Sequence, residues 1–185
     1  MNKNLNSFVV ADPSKCIGCR SCEVACFVVH NEKNNVGYTV GTVTTPVIPR
    51  LNLVSGEDFK MPIQCRHCED APCANSCTAG AIKQVDDVIY IDEDLCIGCK
   101  TCLLACPFGA IDLLPQYCCG EPVAQLVLEL DKKVAYKCDL CKDLDEQACV
   151  KACPEDALSL IIPVEDQKSK QAKAALGLLE IVKNA

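Results

Sequence analysis

The chain lacks the marks of several common protein classes. Its opening residues, MNKNLNSFVVADPSK, contain no apolar core of a leader peptide and no twin-arginine pair, so no export signal is expected and the chain is read as cytoplasmic. No apolar run approaches the roughly 20 residues that span a bilayer. Positive charge is in deficit: 18 Lys and Arg stand against 25 Asp and Glu, a net charge of −7. That balance argues against nucleic acid as a partner, and it suits basic docking faces on other proteins. No acid, base and nucleophile constellation is visible, so the chain is expected to be non-catalytic.

Cysteine, by contrast, is abundant, at 18 of 185 residues. Such density signals a disulfide scaffold or a metal protein, and in a reducing compartment thiolates are held on metal. Sixteen of the cysteines form four quartets. Two quartets have the spacing C-x2-C-x2-C-x3-C: Cys16, Cys19, Cys22, Cys26 and Cys96, Cys99, Cys102, Cys106. Two are wider: Cys65, Cys68, Cys73, Cys77 and Cys138, Cys141, Cys149, Cys153. The tight spacing is the bacterial signature for cubane iron–sulfur clusters. Soft thiolates select such clusters or zinc, but a structural zinc site has no use for the third closely spaced cysteine. Four quartets therefore predict four [4Fe–4S] clusters.

The motifs repeat. SKCIGCRSCEVAC (14–26) and DLCIGCKTCLLAC (94–106) are identical at seven of thirteen positions. The pattern predicts an α+β fold of two pseudo-symmetric two-cluster ferredoxin modules with a C-terminal helix. The modules need not be consecutive in sequence. Residues 31–59 and 113–130 are insertions, the first with Pro46 and Pro49 in an edge ribbon or cover loop. AIKQVDDVIYID reads as a hairpin turning at Asp86-Asp87, and short strands should follow Cys106 and Cys153. Gly18 and Gly98 let backbone N–H groups approach cluster sulfur. His30 and His67 read as outer-shell or surface residues. Lys137 is either a cation beside a cluster or simply solvated. Cys118 and Cys119 are left over: a loop pair, a further metal contact, a redox-sensing thiol or an interface contact.

The tail has an apolar stripe at Ala175, Leu178, Leu179 and Val182, widened by Leu176 and Ile181, on a helix over 164–185. It either packs back on its own domain or mediates assembly. The assembly reading is preferred, with copies of the chain or other iron–sulfur subunits as partners.

FVVADPSKCIGCRSCEVAC, CRHCEDAPCANSC, CIGCKTCLLACPFGAI and KCDLC…CVKACPEDAL together resemble the iron–sulfur subunits of formate hydrogenlyase and of hydrogen-dependent carbon dioxide reductase. They resemble more broadly the four-cluster subunits of molybdenum or tungsten oxidoreductases. The resemblance covers about residues 8–162. It implies an outer module of residues 1–30 plus 131–163 and an inner module of residues 60–112, and with them the ligand sets. These are Cys16, Cys19, Cys22 with Cys153; Cys138, Cys141, Cys149 with Cys26; Cys65, Cys68, Cys73 with Cys106; and Cys96, Cys99, Cys102 with Cys77. Thr78 departs from the proline usual there. The resemblance also implies electron transfer between a molybdenum- or tungsten-dependent formate dehydrogenase and a hydrogenase. A free polyferredoxin, or a subunit of another molybdoenzyme, are the alternatives.

Overall fold

Short pairing segments around cysteine-rich loops build the chain. The computed structural model describes residues 5–31, 46–124 and 131–183. The elements are β1 (Phe8–Ala11), α1 (Ser21–His30), β2 (Asn52–Ser55), β3 (Lys60–Ile63), α2 (Pro72–Asn75), β4 (Ile82–Val85) and β5 (Val88–Ile91). They continue with α3 (Thr101–Ala105), β6 (Asp112–Pro115), β7 (Tyr117–Cys118), β8 (Glu121–Pro122), β9 (Lys133–Tyr136), α4 (Ala148–Lys151), β10 (Leu158–Ile161) and α5 (Pro163–Lys183). The fold is mixed helix and strand, as the sequence predicts.

The strands form antiparallel pairs. β1 joins β10, with Phe8 opposite Ile161 and Ala11 opposite Leu158. This pairing carries the segment after Cys153 back beside the first quartet. β4 and β5 form the expected hairpin, with Asp86 and Asp87 at φ 50° and 63°. Two successive positive φ values make the turn whose twist matches the flanking strands, and Asp tolerates that region better than most residues. β6 pairs with β9 across a long connection, Asp112 opposite Tyr136, and β2 with β3 in a ribbon. The strands expected after Cys106 and Cys153 are β6 and β10. Residues 32–45 and 125–130 of the two insertions lie outside the described residues.

Two apolar cores follow. One gathers Val9, Ala11, Leu51, Leu140 and Leu158 with Cys22, Cys26, Cys65, Cys138 and Cys149. The other gathers Ala71, Ile82, Ile89, Ile111 and Ala135 with Cys73 and Cys102. Helix α1 packs on α4, and α2 on α3.

Helix α5 buries no residue. Leu176, Leu178, Leu179, Ile181 and Val182 stay 56–73 % exposed, so the packed-back alternative for the tail does not describe this chain. The helix runs Pro163–Lys183, one residue earlier at its start than expected. Proline suits this first position because its missing N–H has no helical partner to lose. Among the described residues, no helix is long and apolar enough to cross a membrane.

Candidate metal centres

The local backbone of each quartet turns its loop inward. In the two tight motifs, Gly18 and Arg20 have φ 77° and 63°, and Gly98 and Lys100 have φ 68° and 70°. The wider motifs use His67 (φ 47°) and Leu140 and Cys141 (φ 58° and 51°). Left-handed residues reverse the chain and aim successive N–H groups at one concave point, an arrangement suited to anionic groups. His67 N–H donates to Cys65 Sγ at 3.3 Å and Leu140 N–H to Cys138 Sγ at 3.4 Å. More distant segments add to this: Arg50 N–H reaches Cys26 Sγ at 3.2 Å, Ala135 N–H reaches Cys96 Sγ at 3.5 Å, and Ala157 N–H reaches Cys153 Sγ at 3.3 Å.

The thiols come together across quartets. Cys16, Cys19, Cys22 and Cys153 line one cavity. Cys96, Cys99, Cys102 and Cys77 line a second. Cys65, Cys68, Cys73 and Cys106 line a third. Their empty volumes are similar, about 340, 340 and 320 Å³. The last four, Cys26, Cys138, Cys141 and Cys149, are all buried. Burial pushes the Cys26 thiol up to about 12, and Cys141 and Cys149 beside it push the same way. Burial likewise lifts Cys138 to about 12 with Cys26 adding to it, and Cys149 to about 12 with Cys138 and Cys141 adding. Cys22 and Cys73 rise to about 11, again chiefly by burial. Without metal these thiols are neutral at pH 7, so metal uptake must expel protons. At the exposed edges Cys19 and Cys99 shift the other way, lowered first by the hydroxyls of Ser21 and Thr101. These hydroxyls lie 3.3 and 3.4 Å from the sulfurs, the same device in both copies of the repeat.

The donor set fits iron–sulfur clusters. Each nest presents four soft ligands, with N–H groups on the sulfurs and an apolar wall. Among the described residues, one buried side-chain nitrogen, His67 Nε2, has no hydrogen-bond partner, which leaves it free to serve a cluster.

Gly98 shows how tight these walls are. A Cβ there would lie 2.6 Å from Lys133 O, at a φ of 68° that side chains rarely adopt. Gly109 has a similar φ of 59° and open space around it. Gly98→Ala is therefore expected to release iron in urea clearly faster than Gly109→Ala, which carries the backbone strain of about 1–2 kcal/mol alone. Equal release rates would contradict the close approach.

Sequence reasoning missed the polar frame around the buried nest. Asp139 lies between two ligand candidates. It accepts from Arg50 Nη1 at 2.5 Å and lies 2.9 Å from His30 Nε2. The same guanidinium reaches Glu93 at 3.2 Å. Burial pushes the Asp139 carboxyl up, but the His30 hydrogen bond and the Arg50 charge outweigh it and hold it well below the usual carboxylate range. His30 Nδ1 also lies 3.5 Å from Cys26 Sγ, which places this histidine beside a candidate ligand, the position its outer-shell alternative requires. His67 is wholly buried rather than at the surface; burial and then the nearby Lys137 hold its ring down to about 3. Lys137 is 3 % exposed, so its solvated reading is corrected. The ammonium donates to the carbonyls of Ile89 and Cys138. Cys118 and Cys119 stay apart from every nest, exposed at the β7–β8 turn with sulfurs 3.7 Å from one another.

Comparison with known proteins agrees with this chemistry. Residues 13–26 and 89–112 each match a family model described as a 4Fe-4S binding domain. The electron transport protein HydN of Escherichia coli K12 is 41 % identical over 171 residues, covering 92 % of this chain and 94 % of HydN. The chain belongs to the ferredoxin-type 4Fe–4S electron-transport proteins. Hydrogenase-4 component A of the same strain is 38 % identical over 195 residues, covering 93 % of this chain and 90 % of that protein. An iron-sulfur protein of Rhodospirillum rubrum is 39 % identical over 162 residues, covering 84 % and 82 %. As a member of this family the chain is a non-catalytic electron-transfer protein that binds [4Fe–4S] clusters.

Proposed function

We propose that the sixteen cysteines hold four [4Fe–4S] clusters and that the chain wires a formate dehydrogenase to a hydrogenase in a cytoplasmic complex. The ligand sets are the four nests: Cys16, Cys19, Cys22, Cys153; Cys26, Cys138, Cys141, Cys149; Cys65, Cys68, Cys73, Cys106; and Cys77, Cys96, Cys99, Cys102. The first two sets form the outer module, residues 1–30 plus 131–163. The other two form the inner module, residues 60–112, its pseudo-symmetric counterpart. The observation that supports the cluster reading is that three cavities are each lined by three cysteines from one quartet and a fourth from another. Two-cluster ferredoxins cross-ligate in this way.

A bound [4Fe–4S] cluster supplies a one-electron couple. The chain's residues set its surroundings. Thiolates fix position, N–H groups donate to sulfur, and Val9, Leu51, Ile89 and Ile111 exclude water. Hydrogen bonds to sulfur and burial tune the potential.

Likeness to a hydrogenase component supports a hydrogenase as one partner. The formate dehydrogenase, using molybdenum or tungsten, rests on the motif resemblance. The exposed apolar stripe of α5 supports docking of residues 164–185 onto another iron–sulfur subunit or a second copy. An anaerobic native pull-down with the tagged chain, full-length and lacking 164–185, tests both ideas. The full chain is expected to carry about 16 iron atoms, four per cluster, and to bring down a molybdopterin formate dehydrogenase and a hydrogenase. The truncated chain is expected to keep its iron and yield a smaller complex. Recovery of neither enzyme would leave a free polyferredoxin, and an unchanged complex size would remove the role of the tail.

A further inference from the structure

A continuous chain of hydrogen bonds joins the Cys65 nest to the Cys138 nest. It begins at Cys65 Sγ, which accepts from the His67 backbone N–H at 3.3 Å. The His67 ring continues it: Nδ1 accepts from Ile89 N–H at 3.0 Å. Ile89 O in turn accepts from the Lys137 ammonium, which donates at 2.8 Å to Cys138 O as well. Asn6 anchors the histidine from behind, its Nδ2 donating to His67 O at 2.7 Å.

Because Nδ1 is an acceptor, the proton of the neutral ring is on Nε2. That N–H is wholly buried and has no partner among the described protein atoms. A buried donor left unpaired costs the desolvation of the group, so such atoms in native proteins have a partner of another kind. The ring lies within electrostatic reach of Lys137 and Asp139, the two residues flanking Cys138. Gln64 Oε1 is the other unpaired buried side-chain atom among the described residues, but it is an acceptor and offers nothing to an electron-rich sulfur.

We propose that His67 is a positioning residue for the electron crossing between the two modules, with its Nε2–H donating to a sulfur of the cluster held by Cys26, Cys138, Cys141 and Cys149. The proposal rests on the ligand sets given above. A hydrogen bond to sulfur stabilises the reduced, more negative cluster and raises its potential. Lys137 acts in the same direction from the other end of the hydrogen-bond chain. His67 therefore touches one nest through its backbone and the other through its ring. An electron leaving the inner module would meet a raised potential at the first outer cluster.

Two substitutions separate donation from support. His67→Asn keeps an acceptor for Ile89 N–H and removes the distal donor. His67→Gln restores an N–H near the Nε2 position. With four clusters loaded, redox titration followed by electron paramagnetic resonance should show one midpoint lowered in His67→Asn. The expected size is a tenfold fall in that cluster's reduced-to-oxidised ratio at the wild-type midpoint, about 59 mV for one electron. His67→Gln should recover most of it, and the other three midpoints should hold.

The chain has two histidines, so nitrogen-15 labelling of the histidine ring alone gives a second readout. A hyperfine coupling to a reduced cluster should appear in the wild-type chain and in His30→Gln, and vanish when His67→Asn is added to His30→Gln, since His30 Nδ1 itself lies 3.5 Å from Cys26 Sγ. Absence of that coupling from His30→Gln, or four unshifted midpoints in loaded His67→Asn, would overturn the proposal. If His67→Asn does not load, the coupling in wild type and His30→Gln decides alone. Wild-type iron and sulfide short of four clusters would instead overturn the ligand sets.

Discussion

Chelating the metal under reducing conditions is expected to abolish most of the far-UV circular dichroism of residues 1–163. The reason lies in how little else holds these residues together. Among the described residues, 24 apolar side chains are buried, and eight of them are cysteines. Six more are alanines, which bring little apolar area. Tryptophan is absent, and Phe and Tyr number four each, so the large aromatic contribution to ordinary cores is small here. Among the described residues no strand exceeds four residues, and apart from α1 and α5 the helices have four or five. Helices this short are unstable alone in water. Removing the clusters would leave neutral thiols facing empty space, which forfeits the contacts that close packing supplies. Metal binding is then folding itself. A chain ending after Pro163 is the cleaner sample, because α5 makes its own helical signal. A native-like spectrum from the metal-free chain would contradict the account.

How much of this was legible in the sequence depended on the range of the interaction. Cysteine spacing is local, so the four quartets and the glycine turns could be read directly. The β4–β5 hairpin was legible for the same reason, since Asp86-Asp87 specifies its own turn. The stripe of α5 follows from helical periodicity alone. Sequence missed what is made at a distance. Arg50 and Asp139 are 89 residues apart, and Lys137 and Ile89 are 48 apart. A lysine reads as solvated until the strand that supplies its carbonyl partners is in place. For His67 the sequence left outer-shell and surface positions open, and the fold decides it: the ring is wholly buried at a residue of positive φ. The pairing of quartets also lay beyond spacing, and it was available only through resemblance to known subunits.

Arg50→Met is expected to weaken cluster retention in both halves of the chain at once. Arg50 lies between α1 and β2, yet its guanidinium reaches Asp139 within the Cys138 quartet and Glu93 just before Cys96. Its backbone N–H also donates to Cys26 Sγ. Three of the four quartets therefore depend on the placement of one residue. The side chains of Arg50, Asp139 and Glu93 are 17, 13 and 14 % exposed. At such burial the loss of one partner of an ion pair costs about 3–5 kcal/mol, because the other charge remains out of water. His30 still bonds Asp139, which places the expected cost near the lower end. The sign of the pH dependence follows from the depressed carboxyl of Asp139. Its contribution is fully present above the unfolded value of about 3.9 and is lost as pH falls through the lower folded value. The gap between wild type and Arg50→Met should accordingly be widest near pH 7 and begin to narrow below about pH 4, where the carboxyl of the unfolded chain takes up its proton, closing as pH falls through the lower folded value. Rates of loss of the brown absorbance in urea, compared at each pH, measure that gap. The double variant Arg50→Met, Asp139→Asn removes both charges of that pair and should retain clusters better than Arg50→Met alone, since the Asp139 carboxylate is then no longer left without its cation, while Glu93 loses Arg50 in both variants. A double variant no better than the single one would mean that Arg50 acts through packing, not charge.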